Sequence, residues 1–241
     1  MSRIVLIHGS WHGAWCWHKV ATRLRAAGHT VFSPDLPGHG RDWTAPRDVT
    51  LHSYATPVLE ILDASVEPCV VVAHSRGGIV LTTVAEQRPE KIACGIYLAA
   101  VLTQNGETVF DQLPHAGDSL LLPHMFQTED GSADMLREEV FREALYHDCT
   151  DDDVELCRLL LTPEPLAPSL APIYTTVHGY GRVHKAYIEL SADRAVPLAW
   201  QRYMHGRVPC DEVRSLDAGH SAYFSKPAEL AAMIAQLAAR G

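Results

Sequence analysis

The sequence predicts an α/β protein whose mostly parallel sheet is flanked by helices. Strand-like and helix-like segments alternate at both ends of the chain, and such alternation is typical of βαβ units. Of the 241 residues, 47% are hydrophobic, which is enough to fill one large core. We therefore interpret residues 1–241 as a single domain, with two smaller domains as the alternative.

The first hundred residues supply four strands and three helices in alternation. Short apolar runs predict strands at residues 3–8, 30–33, 69–74 and 92–98. The segments between them predict helices at residues 17–27, 51–64 and 77–88, and Gly28 ends the first of these. The alternation resumes late in the chain, with strands predicted at residues 185–190 and 212–216 and helices at 198–205 and 227–239.

Residues 103–184 interrupt this pattern. They contain several prolines, the acidic run Asp151-Asp152-Asp153, and helix-like pieces at residues 135–145 and 154–161. Such an excursion is far longer than an ordinary loop in a sheet protein. We interpret it as a helical cap, or lid, inserted after the fourth strand and covering one end of the sheet. An independent second domain is the alternative.

Composition limits the partners and the compartment. A net charge of −9 without any basic cluster argues against nucleic acid and anionic membranes as partners. No apolar run approaches the roughly 20 residues of a membrane-spanning helix. The first residues lack signal-peptide features, which favours a cytoplasmic protein. The six cysteines form no CxxC pair and are expected to be free thiols: Cys16, Cys69, Cys94, Cys149, Cys157 and Cys210.

Ser75 lies in the most informative segment of the chain. It follows the apolar strand at residues 69–74 and opens a helix, with Ala73 two residues before it and Gly77 two residues after it. A serine on a tight strand-to-helix turn between small residues is typical of the nucleophile elbow of α/β-hydrolases. Here Ala73 replaces the usual first glycine.

A serine nucleophile needs a base and a group that orients the base. In α/β-hydrolases the acid and then the histidine follow the serine in the chain. Asp193 and His220 satisfy this order, each just after a predicted strand. Asp193 also fits a simple turn residue and His220 a surface histidine. Asp211 and Asp217 are rival acids, although Asp217 precedes His220 by only three residues.

An oxyanion hole requires two backbone N–H groups aimed at the carbonyl oxygen of the substrate. We expect one from Arg76, directly after the nucleophile, and one from Ser10, in the loop after the first strand. Gly9 would let that backbone turn towards the substrate. We expect the Arg76 side chain to be solvated, with its backbone making the functional contribution.

Several apolar or aromatic residues are candidates for the wall of a substrate pocket, with ordinary core packing as the alternative for each. His39 is expected to be structural. We assign substrate binding to Gly9, Trp11, His74, Leu122, Met125, Phe126 and Tyr223.

Five segments together resemble the plant methylesterase and hydroxynitrile lyase family and its bacterial esterase relatives. They are IHGSWHGAWCW at residues 7–17, DLPGHG at 35–40, AHSRGG at 73–78, DRAVP at 193–197 with Gln201 beyond it, and Gly219-His220. The resemblance covers nearly the whole chain and is weakest in the cap. It implies the triad Ser75, His220 and Asp193 and oxyanion donors at Ser10 and Arg76.

Two positions separate the hydrolases from the lyases of this family. The plant lyases carry a threonine after the first-loop histidine and a lysine after the catalytic histidine, whereas this chain has Gly9 and Ser221. Without that lysine a departing cyanide has no cationic partner, so hydrolysis is favoured. Arg76, where leucine or methionine is usual, and Ala73 are departures from the esterase pattern.

The sequence thus predicts a serine hydrolase that cleaves small, mostly apolar carboxylic esters through an acyl-enzyme, without cofactor or metal. A carbamate or amide hydrolase acting on a xenobiotic or natural product would use the same triad. A ligand-binding protein of this fold without turnover is the alternative from another class. The sequence leaves monomer and homodimer open.

Overall fold

A computed structural model describes residues 1–239 of the chain. Its main sheet has six parallel strands: β1 (Arg3–Ile7), β2 (Thr30–Phe32), β3 (Cys69–His74), β4 (Ile92–Leu98), β8 (Lys185–Leu190) and β9 (Glu212–Leu216). Their order across the sheet is β2-β1-β3-β4-β8-β9. β3 and β4 lie at the centre and are almost entirely buried, because helices cover both faces of a parallel sheet.

The helices predicted outside residues 103–184 are present, with ends that differ by a residue or two: α1 (His18–Ala26), α2 (Leu51–Asp63), α3 (Gly78–Gln87), α7 (Leu198–Arg207) and α9 (Pro227–Ala238). The short helix α8 (Ala222–Ser225) was not predicted. Thr50 caps the N-terminus of α2, and its hydroxyl accepts the Ser53 N–H in a capping box. In the described residues, none of the helices is long and apolar enough to cross a bilayer.

The sheet separates two hydrophobic clusters. On one face α1 and α9 pack over β1, β3 and β4, with Trp17 and Tyr223 fully buried. On the other face α2 and α3 pack over the same strands, with Tyr54 and Tyr97 buried. The loops at the carboxyl ends of these strands emerge from this core, and in open parallel sheets ligands bind at that edge.

Residues 103–184, which we call the cap segment, are not entirely helical. They contain α4 (Phe141–Leu145), α5 (Asp151–Leu160) and α6 (Ala167–Leu170). They also contain an antiparallel sheet of β5 (Met125–Gln127), β6 (Ala133–Leu136) and β7 (Glu164–Pro165). The helix expected at residues 135–145 is wrong in its first part, because Met135 and Leu136 pair with β5 as strand residues.

Candidate active site

Ser75 lies at the sharp turn between β3 and α3. Its φ of +52° is strained for a residue with a side chain and places it above the end of the sheet. The turn also brings two backbones very close. A Cβ at position 77 would lie 2.4 Å from the His8 carbonyl oxygen, and one at position 78 would lie 2.2 Å from the Val101 oxygen. A side chain at Gly77 or Gly78 would therefore force the neighbouring backbone to move.

His220 and Asp193 meet through a direct hydrogen bond. His220 Nδ1 donates to Asp193 Oδ2 at 2.7 Å, and both side chains are buried. The other oxygen of Asp193 accepts the N–H groups of Ala195 and Val196, each at 2.8 Å. Asp193 is thus both the turn residue and the partner of the histidine, so its two interpretations are compatible.

Gln201 fixes the acid loop, residues 191–197, from the side of α7. Its amide donates to the carbonyls of Leu190 and Val196 and accepts the Leu190 N–H. The two rival acids point elsewhere. Asp217 accepts a hydrogen bond from Ser191, and Asp211 accepts one from the Lys185 N–H.

His74 connects the nucleophile turn to the histidine. Its Nε2 donates to the His220 carbonyl at 2.9 Å, and the two rings lie 4.5 Å apart. Burial and the neighbouring His220 lower the pKa of His74 well below its usual range, so it stays neutral. Within residues 1–239 no hydrogen bond joins the Ser75 hydroxyl to His220, whose Nδ1 is bound to Asp193. In ligand-free hydrolases the contact between the nucleophile and its base is often long and shortens when substrate binds.

The two candidate oxyanion donors belong to peptide groups that are held by their carbonyls. A planar trans peptide points its C=O and N–H in opposite directions, so fixing one fixes the other. His8 Nδ1 donates to Gly9 O at 2.9 Å, which orients the Ser10 N–H. The Val101 N–H donates to Ser75 O at 2.9 Å, which orients the Arg76 N–H.

His8 and His12, as neutral histidines, hold the loop of residues 8–12, which we call the oxyanion loop because it contains the candidate donor Ser10. His12 Nδ1 donates to Ser10 O at 2.7 Å, while its Nε2 accepts the Tyr146 hydroxyl at 2.7 Å. His8 Nε2 accepts the Leu36 N–H. Burial is the main cause that lowers the pKa of His8 to about 4 and that of His12 to about 3.

The Arg76 side chain is not solvated, contrary to the expectation from sequence. It is only 11% exposed, and its Nη1 lies 2.8 Å from Asp134 Oδ2 and 4.0 Å from Glu164 Oε1. Burial disfavours the charged guanidinium, but the two carboxylates outweigh it and raise the pKa of Arg76. The positive charge of Arg76 is therefore balanced by carboxylates of the protein itself.

Glu164 is fully buried and makes three strong contacts. Oε2 accepts the Trp11 N–H at 3.0 Å and lies 3.1 Å from His39 Nε2, and Oε1 accepts the Tyr54 hydroxyl at 2.6 Å. Burial alone would raise the pKa of Glu164, but His39, Arg76 and Tyr54 lower it to about 2. His39 is fully buried, and its contact with Glu164 helps to hold that carboxylate in place.

A small apolar cavity of about 60 Å³ lies beside Ser75. Of the predicted substrate-binding residues, Trp11, Leu122 and Met125 line it. The other lining residues are Ser10, Ser75, Arg76, Val101, Val109, Phe110, Leu113, Leu121, Val196 and Trp200.

Four predicted substrate-binding residues lie outside this cavity. Tyr223 is fully buried in the core, packed on Trp17 and His74, because α8 turns its ring inwards. His74 and Gly9 support the turn instead: a Cβ at position 9 would lie 2.8 Å from Ser75 Cβ. Phe126 lines a neighbouring surface groove of about 230 Å³.

Sequence reasoning missed Asp134 and Glu164. Both lie in short strands of the cap segment, and their partners are more than fifty residues away in the chain, so no local pattern marks them. Val196 and Trp200 line the cavity and were also missed, although both follow Asp193 closely in the chain. No local pattern marks an apolar residue as part of a cavity wall.

The strained serine turn, the paired histidine and the parallel sheet together define an α/β-hydrolase. The sequence model of the alpha/beta hydrolase family matches residues 4–233, and the chain belongs to this family.

Similar proteins cover essentially the same length. Methylesterase 7 of Arabidopsis thaliana is 33% identical, over 98% of this chain and 96% of that protein. Norfluorocurarine synthase 1 of Strychnos nux-vomica is 32% identical, over 97% and 94%. A pyrethroid hydrolase from Sphingobium faniae JZ-2 superposes with a TM-score of 0.89 at 30% identity, covering 99% of this chain and 97% of that one.

Proposed function

We propose that this protein is a serine hydrolase that cleaves small, mostly apolar carboxylic esters with Ser75, His220 and Asp193. The observation that carries the proposal is the 2.7 Å bond between His220 and Asp193 at the end of the sheet where the strained Ser75 turn emerges. The similar methylesterases and pyrethroid hydrolase support ester cleavage.

In the first half of the reaction, Ser75 Oγ attacks the ester carbonyl while His220 Nε2 takes the hydroxyl proton. Asp193 holds the proton on His220 Nδ1 and stabilises the imidazolium. The tetrahedral intermediate collapses, the bond to the alcohol breaks, and His220 returns the proton to the leaving alkoxide. The products are an alcohol and an acyl-enzyme on Ser75.

The second half repeats these steps with water. His220 takes a proton from water, the hydroxide attacks the acyl-enzyme, and Ser75 leaves with the proton from His220. In both halves the N–H groups of Ser10 and Arg76 stabilise the oxyanion. In comparable acyl-transfer sites each such donor lowers the activation barrier by about 3–4 kcal/mol.

The cavity favours an ester with one small, neutral group. At about 60 Å³ it is the smaller of the two spaces beside the cap, against about 230 Å³ for the neighbouring groove, so we assign the smaller group of the ester to it. The Arg76 charge is neutralised by Asp134 and Glu164, so it offers no free cation to an anionic substrate. The larger part of the substrate would lie in the groove lined by Leu122, Met125 and Phe126.

The test compares p-nitrophenyl acetate hydrolysis by the wild type, Ser75→Ala and Ser191→Ala. Ser191 is an exposed serine close to Asp193 and serves as the matched control. We expect Ser75→Ala to fall to the background rate and to lose labelling by a fluorophosphonate, while Ser191→Ala keeps both. A wild type that binds ester ligands but returns them intact would instead support a binding protein without turnover.

Substrate chain length sharpens the proposal. Because the cavity is small, kcat/KM should fall from p-nitrophenyl acetate to the butyrate and octanoate. A preference for long acyl chains would contradict the assignment of the small group to this cavity. Faster cleavage of matched carbamates or amides than of esters would move the activity to that alternative class.

A further inference from the structure

Two carboxylates of the cap segment lie directly opposite each other beside the nucleophile turn. Asp134 on β6 pairs in register with Glu164 on β7, and both side chains are almost fully buried. Like charges opposite each other on paired strands destabilise a sheet unless donors and cations face them. Here the facing groups are Arg76 and the backbone and indole N–H groups of Trp11.

Glu164 holds the backbone of the oxyanion loop. The Ser10–Trp11 peptide is bound at both ends, since its carbonyl accepts from His12 and its N–H donates to Glu164. Trp11 has a φ of +63°, an unfavourable conformation for a side chain of this size, which needs such contacts to persist. The Thr162 N–H, two residues before Glu164, also donates to Trp11 O at 2.9 Å.

Asp134 binds the side chains of Trp11 and Arg76. Its Oδ1 accepts the Trp11 indole N–H at 2.9 Å, and its Oδ2 accepts from Arg76 at 2.8 Å. Arg76 is the residue whose backbone N–H is the other candidate oxyanion donor. The carboxylate pair therefore contacts residues on both sides of the oxyanion hole.

We propose that Asp134 and Glu164 are positioning residues: from the cap segment they hold the Ser10 and Arg76 N–H groups in the geometry that binds the tetrahedral intermediate. This inference rests on the proposed function, because it concerns the same oxyanion hole. The cap segment then completes the catalytic geometry as well as covering the substrate.

Asp153 provides a matched control. It is a buried carboxylate of the same cap segment, and it also joins the cap to the core, through Lys19 Nζ at 2.6 Å. It makes no contact with the oxyanion loop. If the carboxylates only fasten the cap to the core, Asp153→Asn should behave like Asp134→Asn and Glu164→Gln.

The experiment measures kcat, KM and inhibition by phenylboronic acid, which forms a tetrahedral adduct on the serine. For Glu164→Gln and Asp134→Asn we expect kcat to fall about 10- to 100-fold, less than the loss of a whole donor. KM should change by less than about threefold, since the interaction acts in the transition state. The boronate Ki should rise in proportion to the fall in kcat/KM, whereas Asp153→Asn should change none of these.

Equal effects of Asp153→Asn and Glu164→Gln, or a fall in activity that appears only in KM, would overturn the inference.

If Glu164→Gln does not fold, Tyr54→Phe replaces it, because this substitution removes only the hydroxyl that donates to Glu164. We expect a loss of about threefold in kcat from one weakened buried contact. Unchanged kcat and Ki in Tyr54→Phe and Asp134→Asn would refute the proposal. Failure of the proposed function would appear separately, as a wild type without Ser75-dependent turnover.

Discussion

The acid loop is held by Asp193 itself and by the adjoining helix, whereas the oxyanion loop is held by its own histidines and by two buried carboxylates far along the chain. Asp193 binds N–H groups two and three residues later, and Gln201 reaches the same loop from eleven residues beyond Leu190. Trp11, by contrast, donates to Glu164 and Asp134 from 153 and 123 positions away. The cap segment also reaches the acid loop, since Ser119 donates to the Ala195 carbonyl at 2.6 Å and the Leu120 N–H to the Arg194 carbonyl at 2.9 Å. The difference is that the cap holds the oxyanion loop through buried charged groups.

The largest effect is expected on the acid side, from Asp193→Asn. The new amide oxygen can still accept the N–H groups of Ala195 and Val196, so the loop keeps its shape. Its NH₂ group would face His220 and favour the wrong tautomer, and kcat should fall about 10⁴-fold, as in other triads. Steady-state kinetics with p-nitrophenyl acetate, together with circular dichroism, would measure this.

Asp217→Asn is the control for that substitution. Asp217 is the rival acid that accepts from Ser191, so its replacement should leave kcat within about twofold of the wild type, as surface changes usually do. A large loss in Asp217→Asn with an active Asp193→Asn would reverse the assignment of the acid.

The next largest effect is expected on the pH dependence of the free energy of unfolding, through His8 and His12 of the oxyanion loop. His8 and His12 have a pKa of about 4 and about 3 in the folded protein, against about 6.5 in the unfolded chain. Between these values the unfolded chain binds more protons, so the free energy of unfolding falls as the pH drops from 6.5 towards 4. Protonation of each histidine over this range lowers the free energy of unfolding by on the order of 3 kcal/mol, and this stability is present in full well above pH 6.5.

Urea unfolding at several pH values between 7.5 and 5 measures this slope. His12→Gln should flatten it, because one buried neutral histidine is removed. His18→Gln, at an exposed position, should leave it unchanged. If His12→Gln keeps the full slope of the wild type, His12 is not the source of the acid sensitivity.

The contrast between the two loops also explains what could be predicted from sequence. The strands at residues 69–74 and 185–190 and the turn at Ser75 follow from local patterns of apolar residues and glycine, and the structure has them at those residues. The α/β fold and the family are confirmed. The burial of Arg76 was not predictable, because its partners Asp134 and Glu164 come from a cap whose short strands carry too few residues to show a period.

The smallest effect is expected where the nucleophile turn touches the oxyanion loop, at Gly77. Its φ is −55°, so the position does not require glycine for its backbone angles. The requirement is steric: the Cβ of Gly77→Ala would lie 2.4 Å from the His8 carbonyl oxygen, and the two loops would have to move apart. We expect a loss of about 1–3 kcal/mol in the free energy of unfolding, in the range of overpacked cores.

Gly206→Ala separates this contact from the general effect of replacing glycine. A Cβ at position 206, within α7, has nothing within 4 Å, so alanine should stabilise the helix by about 0.5–1 kcal/mol. Thermal unfolding and kcat would be measured for both variants. Because the oxyanion loop is displaced only in Gly77→Ala, that variant alone should lose kcat and bind phenylboronic acid more weakly. Unchanged boronate affinity in Gly77→Ala would mean that the oxyanion loop tolerates displacement of His8, and that the two loops are less tightly joined than their contact distance implies.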